Sequence, residues 1–182
     1  MKVRSFQLST QPKYSLQGGI HRRTESAILM GTKNLIASFG ASNISMIEIA
    51  DISEVSRATL YNHYRDKSAV LSALLSAEVA RLVELANLAG TPADSLERLS
   101  LEISKDAALA AMRIHDQDLL LLAMTAAQDP RYLELARCIF AATKSEAGTG
   151  LAMRWLLGQV AQPISAIQSR QQAQLLVERT LF

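Results

Sequence analysis

Residues 55–64, VSRATLYNHY, bring Ser56, Arg57, Thr59, Tyr61, Asn62, His63 and Tyr64 together in ten positions that hold only three aliphatic side chains, Val55, Ala58 and Leu60. The surrounding chain is far oilier, with 49% of its 182 residues hydrophobic and 20% charged. So dense a set of hydrogen-bonding groups calls for a partner. Val55, Leu60 and parts of Tyr61 and Tyr64 supply a buried side, so the spacing predicts a helix of about two turns. Ser56 is placed to cap it.

Working outward, Ser45 and Glu48 stand three residues apart, the spacing of a capping box. They open a short helix whose inward stripe is Met46, Ile49, Ala50 and Ser53. Two short helices with a tight link between them form a helix-turn-helix. A preceding helix is expected from about Thr24 to Phe39, with Ile28, Thr32, Leu35, Ile36 and Phe39 at 3 to 4 spacing and Gly40 as its stop. Asp66 is placed to cap a long fourth helix from about Lys67 to Leu88.

Helical spacing continues to the end, and strand signals are scarce. Thr91-Pro92 with Asp94 opens a helix to about Ile114, and His115-Asp116-Gln117-Asp118 forms a corner at which the acids face the next helix. Four further helices are expected over about 119–128, 130–146, 150–161 and 163–181, separated by Asp129-Pro130, Gly148-Thr149-Gly150 and Gln162-Pro163. The expected fold is all-α with about nine helices. A basic, flexible arm (1–21) precedes a three-helix helix-turn-helix domain (22–68) and a larger helical domain (69–182).

Charge is unevenly spread. Residues 1–67 hold nine of the 19 Lys/Arg and five of the 17 Asp/Glu, and the first 23 residues carry no acid. That suits an arm near a polyanion. The lone Cys138 excludes an internal disulfide and is expected to be buried and inert, while His21, His63 and His115 are too scattered for a metal site. The longest apolar run, Leu119 to Met124, is far short of a membrane span, and the N-terminus lacks the apolar core of a secretory signal. A cytoplasmic location is the expectation, without metal or other cofactor and without membrane contact.

A recognition helix must meet base edges and phosphates at once, and exposed groups near its N-terminal end suit that task. Ser56, Arg57, Thr59 and Asn62 fit it. Arg57 has the geometry for guanine or phosphate, and Asn62 for a base or phosphate. The stretch IEIADISEVSRATLYNHYRDKSAVL, residues 47–71, resembles the DNA-binding signature of the tetracycline-repressor (TetR) family of bacterial transcription regulators. The resemblance covers about residues 24–75. It implies DNA-facing roles for Ser45, Ser56, Arg57, Ala58, Thr59, Tyr61, Asn62, His63 and Lys67, with Tyr61 and Lys67 chiefly on phosphates. It also implies a C-terminal ligand-binding and dimerisation domain, a homodimer on a palindromic double-stranded DNA operator, and a small-molecule effector that relieves repression.

Four positions depart from that family's pattern. Glu54 stands at the usual turn glycine, which demands either a left-handed backbone or a different turn. Ile47 and Ile52 replace exposed polar residues, for which a covering N-terminal extension is one explanation, and Arg65 replaces a frequent proline.

In the larger domain, Met112, Met124, Tyr132, Phe140, Met153 and Trp155 are candidates for an adaptable apolar pocket, and ordinary core packing is the alternative for each. Leu151, Ala152, Trp155 and Gly158, then Ile164, Ile167, Leu175 and Leu181, form stripes fit to pair with a second copy. Two rivals stand beside this reading. One is an enzyme centred on His115, Asp116 and Asp118, which lacks a convergent nucleophile or ligand set. The other is an all-helical protein-interaction adaptor without DNA binding.

Overall fold

The computed structural model describes residues 13–125 and 129–178. Among these the chain forms ten helices and no strand: α1 (Lys13–Phe39), α2 (Met46–Ile52), α3 (Arg57–His63), α4 (Lys67–Asn87), α5 (Pro92–Lys105), α6 (Ala107–His115), α7 (Gln117–Thr125), α8 (Pro130–Thr143), α9 (Glu146–Ala161) and α10 (Ala166–Glu178).

The helices enclose two cores. Ile28 and Ile36 of α1, Ile49 of α2, Leu60 of α3 and Val70 and Leu74 of α4 form the first, joined by Ala108 of α6. Val79 and Ala86 of α4, Leu96 and Leu99 of α5, Ile139 of α8, Leu156 of α9 and Ala173 of α10 form the second. α4 therefore runs through both, and α1 packs directly on α6. Movement in the larger unit has a solid path to the smaller one. Leu60, fully buried, is the peg that seats α3, and truncating such a leucine to alanine costs about 2–5 kcal/mol.

The local signals explain most helix starts. Ser45 and Glu48 complete their capping box, Ser56 accepts from the Thr59 amide, and Asp66 accepts from the Ala69 amide. Thr91 caps α5 with Pro92 in its first turn. Other boundaries differ from expectation for identifiable reasons. α1 begins at Lys13 instead of Thr24, because no proline or strong cap interrupts the segment. Residues 13–21 of the expected arm are thus helical, and residues 1–12 lie outside the described residues.

The single helix expected over 92–114 is broken at Asp106, which ends α5 and caps α6 through the Leu109 amide at 2.9 Å. This break raises the helix count to ten. Gly148-Thr149-Gly150, expected as a separator, lies inside α9, because Ser145 caps that helix through the Gly148 amide. α10 starts later than Pro163, where Ser165 and Gln168 exchange hydrogen bonds in the manner of a capping box. Among the described residues no helix is long and apolar enough to cross a membrane, and no group of three or more His, Cys, Asp or Glu could hold a metal ion.

Candidate nucleic-acid interface and cavity

α2 and α3 present the polar cluster outward. Ser45, Ser56, Arg57, Ala58, Tyr61 and Asn62 are exposed, and Thr59 and His63 are partly so. The side chains of Arg57, Tyr61 and Asn62 make no hydrogen bond to any other described residue, which leaves their donors and acceptors available. Tyr61 is 53% exposed, so at most part of it belongs to the buried side. Tyr64 is 8% exposed and its hydroxyl donates to Glu25 of α1 at 3.2 Å. Burial, aided by the Glu25 carboxylate, pushes the Tyr64 phenol up to about 12.

Ser45, Ser56, Thr59 and His63 on this face are occupied with its own scaffold. The Ser45 hydroxyl accepts from the Glu48 amide, and the Ser45 hydroxyl and backbone amide both donate to the Glu48 carboxylate, which those two bonds hold below its usual range. Ser56 Oγ accepts from the Thr59 amide at 3.0 Å and lies 2.8 Å from the Thr59 hydroxyl. The His63 ring stacks on His21 of α1 with centroids 4.1 Å apart. Burial, then the neighbouring His21, lowers the His63 pKa.

Lys67, expected on phosphates, is engaged within the protein. Its ammonium donates to three carbonyls of the loop between α1 and α2: Ala41 at 3.2 Å, Ser42 at 3.0 Å and Ile44 at 3.0 Å. The same loop is gripped from the other side by Asp116, which accepts from the Ala41 amide at 2.6 Å and the Ser42 amide at 2.8 Å. Burial alone would raise the Asp116 pKa, but the hydrogen bonds from Ser42 and Ala41 prevail and lower it. Asp116 is 4% exposed and sits at the end of α6, so the larger unit holds the loop from which the helix-turn-helix starts. Its carboxylate was expected to serve α7, and nothing in the sequence marks a contact spanning 74 or 75 residues.

Gly40 makes this junction possible. Its φ is +81°, and a Cβ there would lie 2.7 Å from both Asp116 Oδ2 and His115 Cβ. Glu54 takes the left-handed backbone at the turn, φ +55°, without glycine's freedom. Ile47 and Ile52 remain 46% and 50% exposed with respect to the described residues. The Arg65 guanidinium pairs with Asp66 at 2.9 Å on the surface.

Between the two cores lies a cavity of about 550 Å³, within the range of small-molecule sites. Leu71, Leu75 and Leu82 of α4, Leu109 of α6 and Leu156 of α9 give it apolar walls, and Lys33 and Ile36 of α1 close one side. Of the six expected pocket residues, Met112, Tyr132 and Met153 line it. Met124, Phe140 and Trp155 do not: Phe140 is 45% exposed, and Trp155 donates its indole N–H to Gln172 at 2.6 Å. The position of Cys138 is half-buried, and burial raises its thiol pKa.

Sequence reasoning missed the charged lining. Lys33 Nζ bridges Glu78 of α4 and Asp106 of the α5–α6 break, both at 2.8 Å. Burial opposes its charge, yet the bonds to Asp106 and Glu78 carry its pKa above the usual value. Arg81 joins Glu78 at 3.0 Å to Glu102 at 2.6 Å, and Arg131 pairs with Asp129, whose carboxyl it holds at about 2.

A short polar helix held outward by a capped partner defines a DNA-binding protein of the helix-turn-helix class. Residues 28–74 match the model for bacterial regulatory proteins of the tetR family. The helix-turn-helix segment of the chain is thus that of a tetR-family regulator. No curated protein matches it in sequence. Its fold is similar to that of the dihydroxyacetone kinase operon activator DhaS (TM-score 0.62, 14% identity, 86% of this chain and 96% of that one). It is also similar to the TetR family repressor AlkX from Dietzia sp. strain DQ12-45-1b (TM-score 0.60, 18% identity, 86% and 94%). A third similar structure is the regulator FadR from Bacillus subtilis in complex with stearoyl-CoA (TM-score 0.50, 16% identity, 84% and 97%). The family match gives no support to the adaptor reading.

Proposed function

We propose that the chain is a cytoplasmic, non-enzymatic repressor that binds a roughly palindromic operator as a homodimer and releases it when a small molecule fills the cavity. The observation that carries this is the shared wall: Lys33 and Ile36, which line the cavity, belong to α1, the helix on which α2 and α4 pack. A ligand that separates α4 or α6 from α1 favours an arrangement in which the two recognition helices no longer match the DNA repeat. Asp116 is the second connection, since it ends the cavity-lining α6 and holds the loop that leads into α2.

In this reading Arg57 and Asn62 address bases or phosphates, Tyr61 addresses phosphates, and Ser45, Ser56, Ala58, Thr59 and His63 complete the DNA-facing surface. Lys67 acts by positioning the α1–α2 loop. Leu151 of α9 and Ile167 and Leu175 of α10, 57%, 71% and 51% exposed, supply an apolar surface for the second copy. The repressor AlkX and the stearoyl-CoA complex of FadR share this fold and support a ligand-responsive mode.

Selection of bound duplexes from random DNA, repeated with a metabolite pool, tests the proposal. The expected outcome is an inverted repeat bound by a dimer, with binding lost in one metabolite fraction. Recovery of no enriched sequence, or of a single unrepeated half-site bound by a monomer, sinks it.

A further inference from the structure

The cavity wall carries more negative than positive charge, and the arrangement of its ion pairs decides what it admits. Asp106, Lys33, Glu78, Arg81 and Glu102 form one continuous chain of contacts between 2.6 and 3.0 Å, three carboxylates to two cations. The remaining pair, Arg131 with Asp129, is neutral in sum. Each cation on the wall already has a carboxylate partner, and Arg131 also donates to the Ser72 carbonyl at 3.1 Å. The surplus carboxylate lies at the Glu102 end of the chain, where Glu102 meets Arg81 alone among these groups and its side chain is 42% exposed.

We infer that the cavity takes an amphipathic monocation, a protonated amine or quaternary ammonium carried on an apolar body, with the head beside Glu102 and Glu78 and the body among the leucines of α4, α6 and α9. The inference rests on the proposed effector role of this cavity and adds the chemical class. An anionic head would have to draw Lys33, Arg81 or Arg131 away from its carboxylate, stranding a charge on a half-buried wall. A cationic head breaks no existing pair and neutralises the surplus. It also shares Glu78 with Lys33, which loosens the tether between α1 and α4 and gives the ligand a direct hold on the helix-turn-helix.

The test compares three probes of one chain length, decyltrimethylammonium, decanoate and 1-decanol, each below its micelle concentration. Calorimetry and thermal unfolding of the full chain read binding, and a selected operator duplex reads release. Decyltrimethylammonium is expected to bind at least tenfold more tightly than decanoate. Glu102→Gln is expected to reduce cation binding about tenfold while decanol still binds, which shows that the variant is folded. Decanoate binding more tightly and releasing the duplex overturns the charge assignment and leaves the effector role standing. Cation binding with no loss of duplex affinity supports the ligand class and overturns the effector role. Failure of all three probes to bind overturns the inference, whatever the metabolite selection shows, and cation affinity unchanged in Glu102→Gln overturns the placement of the head.

Discussion

The recognition face and the cavity wall are both built from charged and polar side chains, yet they keep them in opposite states. On α3, Arg57, Tyr61 and Asn62 are exposed and their side chains make no hydrogen bond to any other described residue. On the wall, Lys33, Arg81 and Arg131 are each paired with a carboxylate. Open valences on a rigid local scaffold await a large partner, and their removal costs the protein little. Satisfied pairs between elements hold parts of the molecule together, and their removal is felt in stability and in the position of whatever they hold.

The strongest challenge to this contrast is Asp116→Ala. Two backbone amides lose their acceptor, so unfolding stability is expected to fall by about 2–4 kcal/mol, read as a lower melting temperature. Duplex affinity should fall with it, although Asp116 lies away from the exposed face. Unchanged melting and unchanged affinity would break the claim that paired groups carry the coupling. Arg57→Ala is the reciprocal case: a loss of about 1–3 kcal/mol in duplex binding with stability within about 0.5 kcal/mol of the parent. A melting temperature that drops as far as in the Asp116 variant would erase the distinction.

Lys67→Ala sharpens the boundary between the two classes. Because the ammonium is spent on loop carbonyls, duplex affinity is expected to weaken while the salt dependence keeps its slope. A slope reduced by about one ion would return Lys67 to the phosphates. Glu54→Gly relieves a left-handed backbone and is expected to add about 1 kcal/mol of stability, measurable by denaturant titration; a loss instead would mean that the turn depends on the glutamate side chain.

The smallest effect concerns His63. Its folded pKa lies below the ordinary value of 6.5 because burial and the stacked His21 disfavour its charge, against a weaker opposing pull from Glu25. The unfolded chain therefore takes up the proton first as the pH falls. The stability His63 contributes is present above pH 6.5 and is lost as the pH drops through the lowered folded value. His63→Gln should flatten stability against pH in that window, and an identical slope in the variant removes the assignment.

The helix-turn-helix was legible because its signals are local. A capping box joins residues three apart, the stripe Met46, Ile49, Ala50 and Ser53 repeats at helical spacing, and the polar run of α3 is contiguous. Even there the use of Lys67 was hidden, since its partners lie 23 to 26 residues earlier. The cavity was half legible. Met112, Tyr132 and Met153, chosen by side-chain type, line it, whereas Met124, Phe140 and Trp155, chosen the same way, do not, because helical spacing does not say which apolar face meets a void and which meets solvent. The ionic lining was not legible at all: Lys33, Glu78 and Asp106 come from separate segments and meet only in the folded chain. The α5–α6 break hid in a periodic stretch, as Asp106 is one polar residue among many.

Gly40 and Gly90 are the same amino acid under very different obligations. Around Gly90 the nearest atom to an added Cβ is 3.7 Å away, ordinary contact, and drift there is cheap. Gly40 lies where the loop into the DNA-reading unit is pressed against Asp116 and His115, and even one methyl group would wedge that contact apart. Evolution is free to exchange ligands by rewriting the leucines of the cavity, but any lineage that keeps this coupling has to carry the same bare backbone at position 40.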